Sequence, residues 1–195
     1  MDSKLEQNAR QVFKSFNPFM LLLWQLGLGK LINFWPPVVG RTMVLTHTGR
    51  KSGLPRRTPL NYAIVDGVIY AVAGFGGVSD WYRNIQANPC VQIWLPDSWH
   101  EGRAEEVNDP QNRLKIIRAV LIASGFAANI AGLDPHTLRD AELDSKAKEY
   151  RILRVTPTAP RTGPGGPGEL AWIWPLATFL LLPLALRKRS RRRCC

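Results

Sequence analysis

The chain is poor in the residues that staple or metallate a protein. Only three cysteines and three histidines occur in 195 residues. Cys90, Cys194 and Cys195 are too few and too unevenly spaced for a disulfide framework or a zinc site. His100 and His136 have no ligand partners at metal spacing, so no metal site is expected. Acidic residues are also scarce, 15 against 26 Lys and Arg, which leaves a net charge of +11. Six of those basic groups sit in residues 187–195, RKRSRRRCC, and the remainder carries 20 basic residues against 15 acidic. A surplus placed at one end without interleaved aromatics argues against nucleic-acid binding. No internal repeat is visible. The N-terminal stretch lacks the pattern of a secretory leader, because its charged lead-in is long, Lys30 interrupts the apolar part and no small-residue cleavage site follows.

What remains is globular in composition, 45% hydrophobic and 21% charged. Residues 1–40 read as an apolar, amphipathic helical segment, richest from Phe19 to Trp35 and ended by Pro36-Pro37. From Arg41 the pattern becomes that of strands. Leu60–Val65 and Val68–Ala73 flank Asp66-Gly67, the signature of a two-residue hairpin turn. Ser79 or Asp80 caps a short helix through Ala87, and Asn88-Pro89 stops it. Strands follow at Cys90–Leu95 and about Trp99–Val107, a helix after Asp109-Pro110, a shorter one after Asp134-Pro135, and a last strand at Tyr150–Val155. The implied class is α+β and mainly β, with four to six mostly antiparallel strands that close into a barrel over residues 41–156. Residues 157–169 form a Pro/Gly-rich linker, with four prolines and four glycines in positions 157–168. The last segment, 170–195, carries a chargeless run at 170–186 and the polybasic tail. A helix over that run would be roughly 25 Å long, so it either spans a membrane or lies in its interface.

Two motifs carry the chemistry. Residues 46–62, THTGRKSGLPRRTPLNY, gather Arg50, Lys51, Arg56 and Arg57 around Gly49 and Gly53. Guanidinium forks and a lysine at one barrel end suit a phosphate or carboxylate. Residues 74–84, GFGGVSDWYRN, join a glycine-rich strand end to a helix on which Trp81 can cover a flat ring and Asn84 can bond to one. His47 is expected to face solvent at a strand end, and Cys90 to be a buried, inert thiol. Glu105-Glu106 is a poor acid/base dyad, since neighbouring strand residues face opposite sides. Tyr62 and Tyr82 are the candidates for a proton donor at the pocket mouth.

GRKSGLPRRTPLNY, a hairpin, a glycine-rich break and WYRNIQANP, in that order, resemble the deazaflavin-dependent nitroreductase and quinone reductase family. The resemblance covers roughly residues 40–156 and implies a split β-barrel, of about six strands, that uses reduced coenzyme F420 to reduce quinones, menaquinone among them, or nitro-aromatic compounds. By resemblance, Lys51 and Arg56 hold the cofactor's phosphate and acidic tail. Pro59 and Leu60, with Ala73 and Gly74 opposite, border the ring through backbone atoms, and Trp81 and Asn84 line the same pocket. Gly74-Phe75 stands where nitroreductase members have Ser-Lys, which removes one phosphate-binding lysine and makes Arg57 the candidate to compensate. Phe75 at the ring position also leaves room for FMN or a haem-like ligand. FAANIAGL, residues 126–133, lacks the substrate-facing tyrosines of the family. The alternatives carried forward are an FMN-using relative and a non-catalytic, membrane-attached carrier of cofactor, haem or lipid. The barrel is expected on the cytoplasmic side of a membrane, and a homodimer is implied by resemblance.

Overall fold

The computed structural model describes residues 3–34, 40–125, 128 and 134–191. Helix α1 (Ser3–Gln25) and a single turn α2 (Gly29–Ile32) precede the strands β1 (Thr42–Thr48), β2 (Pro55–Val65) and β3 (Val68–Ala73). Helix α3 (Asp80–Ala87) leads to β4 (Cys90–Leu95) and β5 (Ser98–Glu106). Helices α4 (Arg113–Ile122) and α5 (Asp140–Lys146) separate these from β6 (Arg151–Pro160), and α6 (Ile173–Arg191) ends the order. The strands close in the order β1-β2-β3-β6-β5-β4, and every pairing is antiparallel. This is the closed barrel that the apolar runs implied and the split β-barrel that the resemblance implied, with free strand edge left, among the described residues, only where β2 parts from β3 and where β6 runs past Val155.

Strand alternation sorts the side chains into two sets. Met43, Leu45, Tyr62, Ile69, Ala71, Val91, Ile93 and Leu153 meet in the interior with Tyr82 and Ile85 of α3. On the outer face, Ile116, Ile117, Val120 and Leu121 of α4 cover Ala63 and Ile152. A third cluster lies under the end of α1, where Trp24 meets Val44, Trp94 and Trp99. The β2–β3 turn has φ of 52° at Asp66 and 80° at Gly67, both in the left-handed region that a type I′ hairpin requires.

Three local expectations change. Asp134 does not open a helix: its carboxylate accepts from the His136 amide at 3.0 Å, forming a turn, and α5 begins at Asp140. The proline-rich stretch is not all linker, since β6 runs to Pro160 and pairs Pro157 with Gly102 and Pro160 with His100. There β6 has left β3, whose last partner in that direction is Val155, and a strand edge without a second neighbour tolerates proline. Residues beyond it are pinned by Gly168 N donating to Trp24 O (2.9 Å) and Leu170 N to Gln25 O (2.8 Å). Finally, no helix among the described residues is long and apolar enough to cross a membrane. Helix α6 starts only at Ile173, contains Pro183 and carries its basic residues within the same helix.

Gly76 is the glycine on which the β3–α3 connection turns. Its φ is 58°, and a Cβ there would lie 2.6 Å from the Glu149 carbonyl oxygen. Gly76→Ala is therefore expected to cost on the order of 2 kcal/mol, read as a lowered midpoint in urea unfolding. Gly74→Ala meets only Tyr150 ring atoms at 3.7–3.9 Å and should unfold close to the parent chain.

Candidate functional site

The barrel opens where β2 and β3 part. Their ladder runs from Val65↔Val68 to Tyr62↔Ala71 and ends there. Beyond that point β2 continues along β1 as far as Thr48↔Pro55, while β3 continues along β6 to Ala73↔Arg151. Tyr62 N donates to Arg41 O (3.1 Å), so by alternation the backbone edges of Asn61, Pro59 and Arg57 face away from β1, toward the opening. Pro59 has no N–H to leave unpaired there. Leu60 and Trp81 both pack on the interior cluster that contains Ala73. The structure thus gathers Pro59, Leu60, Ala73, Gly74 and Trp81 around one split, and Phe75, half-buried, follows at its end.

The four cations of the β1–β2 region separate into two pairs. Arg50 is engaged, donating from its amide (3.1 Å) and Nη1 (2.9 Å) to Asn84 Oδ1 and from Nη2 to Asp80 Oδ1 (3.0 Å). Arg57 points to the outer face. It pairs with Glu169 (3.0 Å), donates to Gly165 O (2.9 Å) and lies 4.7 Å over the Trp94 ring. Lys51 and Arg56 are exposed and stand in none of the ion pairs found among the described residues. Arg57 consequently does not join Lys51 and Arg56, because neighbouring residues of a strand face opposite sides.

Asn84 is 6% exposed, and its amide is spent within the protein. Besides accepting from Arg50, it lies 3.3 Å from His47 Nδ1. His47 is 3% exposed rather than solvent-facing, and its Nε2 is 3.1 Å from Thr58 Oγ1. Burial, then the charge of Arg56, pulls its pKa down from 6.5 to about 4. A neutral histidine therefore ties the cationic turn, the middle of β2 and α3 together. The sequence carries one signal for this, a histidine two positions before the glycine turn, and the structure sets it in register with Arg56 and buries it instead of turning it to solvent.

The tyrosine candidates are occupied differently. Tyr82 donates its hydroxyl to Glu106 at 2.6 Å, and burial followed by that bond pushes its pKa up to about 12. Tyr62 faces the interior, and burial raises its pKa as well. Neither is poised to give up a proton near neutral pH. Glu105 pairs with Arg103 and Arg154 while Glu106 turns to Tyr82, as strand alternation demands. Cys90 is exposed, not buried. No metal-binding group of His, Cys, Asp and Glu occurs among the described residues. Residues 126–133, except Ala128, and 192–195 lie outside the described residues, and with them the missing-tyrosine segment and the Cys194-Cys195 pair.

The F420H(2)-dependent quinone reductase family model matches residues 29–133, more than half of the chain. The chain belongs to the F420H(2)-dependent quinone reductase family. Among solved structures it is similar to a conserved hypothetical protein from Mycobacterium tuberculosis, 21% identical over 62% of this chain and 75% of that one (TM-score 0.46). It is also similar to an F420-H2 dependent reductase, 24% identical over 59% of this chain and 93% of that one (TM-score 0.40). A third is a FAD-binding protein from Mesorhizobium loti, 22% identical over 60% and 78% of the two chains (TM-score 0.36). This reductase is an F420-dependent oxidoreductase, and its cofactor is coenzyme F420. The residues present fit that group. An open strand edge admits a flat ring with amide-like edges, and two unpaired cations stand at the end of the split for a phosphate and carboxylates.

The His47 pKa carries a consequence for stability. An unfolded histidine takes up its proton near 6.5, whereas the folded one does so only near 4, so the fold is favoured above that window. Unfolding free energy should fall by up to about 3 kcal/mol as pH drops from 6.5 to 4. His47→Gln should flatten this slope in urea titrations at a series of pH values. The Arg57 latch gives a separate expectation: Arg57→Met lowers stability by about 2 kcal/mol and leaves F420 affinity within twofold.

Proposed function

We propose that this reductase passes hydride from reduced F420 to a quinone-like or nitro-aromatic acceptor, with the deazaflavin ring seated in the β2–β3 split. The observation that carries this reading is the coincidence of the split with the two unpaired cations, Lys51 and Arg56. Lys51 and Arg56 hold the phosphate and acidic tail, while the backbone of Pro59, Leu60, Ala73 and Gly74 borders the ring. Reduced F420 supplies the hydride, so the chain supplies position and exclusion of water. Trp81 closes one side of the split. Arg50 acts one step removed, because its bonds to Asn84 and Asp80 fix the turn that presents Lys51. Tyr82 belongs to the Glu106 contact, so the proton that completes acceptor reduction comes from solvent. Lys51→Ala and Arg56→Ala should each raise the dissociation constant for oxidised F420 at least tenfold in fluorescence titrations. Unchanged affinity in both would remove the phosphate site.

The same reading places the reductase at the cytoplasmic face of a membrane, lying in the interface instead of spanning it. Val12, Phe16, Phe19 and Leu22 are exposed on one face of α1. Trp172, Trp174, Leu176 and Phe179–Leu182 are exposed on or just before α6. The six basic groups of residues 187–195 complement anionic headgroups at about 1 kcal/mol each. A lipid-soluble quinone suits that position. The full chain should co-sediment with vesicles containing anionic lipid and much less with purely zwitterionic ones. Truncation after Trp174, which keeps the Trp174 Nε1 bond to Leu26 O, should abolish the difference.

A further inference from the structure

The barrel end away from the cationic turn carries a second, smaller set of donors. Arg41, just before β1, and Tyr62 of β2 line an open depression of about 300 Å³, together with Lys30, Asn33, Pro96 and Asp97. Tyr62 is 7% exposed, and its hydroxyl has no hydrogen-bond partner among the described residues. Nor is that hydroxyl one of the partnerless side-chain atoms that are sealed from water. It points into the depression, since the two charges that move its pKa, Arg41 and Asp97, both line it. Burial is the largest influence and raises that pKa, so the group keeps its proton at neutral pH.

The depression is held from both sides. Asn33 donates to Gly29 O (2.8 Å) and Thr42 Oγ1 (3.1 Å) and accepts from Thr42 N (2.7 Å), which fixes the end of α2 against the start of β1. The Arg41 backbone is clamped in turn. Its amide donates to Ala123 O (2.6 Å), and its carbonyl accepts from Tyr62 N (3.1 Å) and Asn61 Nδ2 (3.3 Å). Arg41 is exposed, and its guanidinium stands in none of the ion pairs or side-chain hydrogen bonds found among the described residues. Lys30 pairs with Asp97 at 2.6 Å, but the two side chains are 71% and 77% exposed. An ion pair so exposed holds little energy against a competing anion.

We infer that this depression takes the phosphodiester of a lipid headgroup, with Arg41 and Tyr62 as its donors. The inference rests on the membrane reading above. A guanidinium fork matches two phosphate oxygens, and a protonated phenol adds a further bond. Lys30 and Arg41 against Asp97 leave one positive charge, which balances a singly charged diester and not a doubly charged monoester. The rim shows what the phosphate is attached to. Leu31 is 67% exposed and Phe34 is 84% exposed, on either side of Asn33, and they offer apolar surface to acyl chains. The same segment continues from α1, whose Val12, Phe16, Phe19 and Leu22 are exposed. Lys51 and Arg56 lie beyond the other end of β1, and Thr42–Thr48 alone spans about 20 Å, so this anion site is separate from that of the cofactor. One headgroup is too weak a hold to attach the chain without its basic tail. The site therefore sets which end of the barrel meets the surface.

The test is a titration of the full chain, labelled with ¹⁵N at its arginines, with dihexanoyl phosphatidylglycerol below its micelle concentration. Dimethyl phosphate, which has the diester and no chains, is titrated in parallel. Arg41→Gln assigns the Arg41 Nε–H signal. That signal should move along a saturation curve with the lipid, while those of Arg103 and Arg154, both paired with Glu105, stay still. Tyr62→Phe keeps the packed ring and loses the hydroxyl. Checked for a parent-like melting profile, it should weaken lipid binding about tenfold. Dimethyl phosphate should bind at least tenfold more weakly than the lipid. Equal affinity for the two would show a site for a soluble phosphate compound and overturn the lipid assignment. An Arg41 signal that stays still, or a curve unchanged in Tyr62→Phe, would overturn the site. Co-sedimentation of the full chain with anionic vesicles, measured separately, keeps the two readings apart. Sedimentation without an Arg41 shift removes this site alone, and an Arg41 shift without sedimentation removes the membrane reading and leaves the site.

Discussion

The parting of β2 from β3 at Tyr62↔Ala71 is the constraint from which the rest of the molecule follows. A closed barrel has no backbone to offer a ligand, because every interior edge is spent on a neighbour. Here β2 keeps its bonds to β1 and β3 keeps its bonds to β6, so the sheet stays continuous while a local edge opens between them. Pro59 falls within that edge, where its missing donor costs nothing. Gly76, in a conformation closed to residues with a Cβ, then turns the chain into α3 and sets Trp81 and Asn84 beside the opening.

Charge is sorted by the same geometry. Four cations lie within eight residues, yet the alternation of β2 sends Arg57 outward to the Trp94 face, and the turn folds Arg50 back onto α3. The two that remain unpaired stand at the end of the split. A buried neutral histidine maintains this partition by bridging Thr58 and Asn84. Arg57 is then free to hold the segment of Gly165 and Glu169 over the Trp94 face. One strand therefore presents a free backbone edge on one side and packs on an aromatic cluster with its outer face.

Much of this was legible in the residues. The Asp66-Gly67 hairpin, the Asp80–Ala87 helix and the strands around them follow from local turn chemistry and alternation, which need no distant partner. The family motifs contain the strand segments that part at the split and the four cations, of which Lys51 and Arg56 stand in none of the ion pairs found among the described residues. What escaped the sequence depends on contacts between distant segments. Whether Arg57 or Arg56 faces the ligand is a matter of register, and the bond from Arg57 to Glu169 spans 112 positions. The burial of His47 and the consumption of Asn84 depend on α3 docking over the β1–β2 turn. Prolines 157 and 160 looked like linker because their strand pairs on one side alone. The chargeless run at 170–186 looked long enough to approach a membrane's thickness, but its first residues are spent on turns bonded to α1.

The proposed seat of the cofactor ring is the open edge of β2. Amide hydrogen exchange, compared with and without saturating oxidised F420, reads that edge directly. New protection is expected across residues 57–61 and 72–76, with little change across 62–71, whose ladder is already closed. Protection confined to the tryptophan cluster around Trp24 and Trp99, or to α4, with the 57–61 edge exchanging as before, would contradict it.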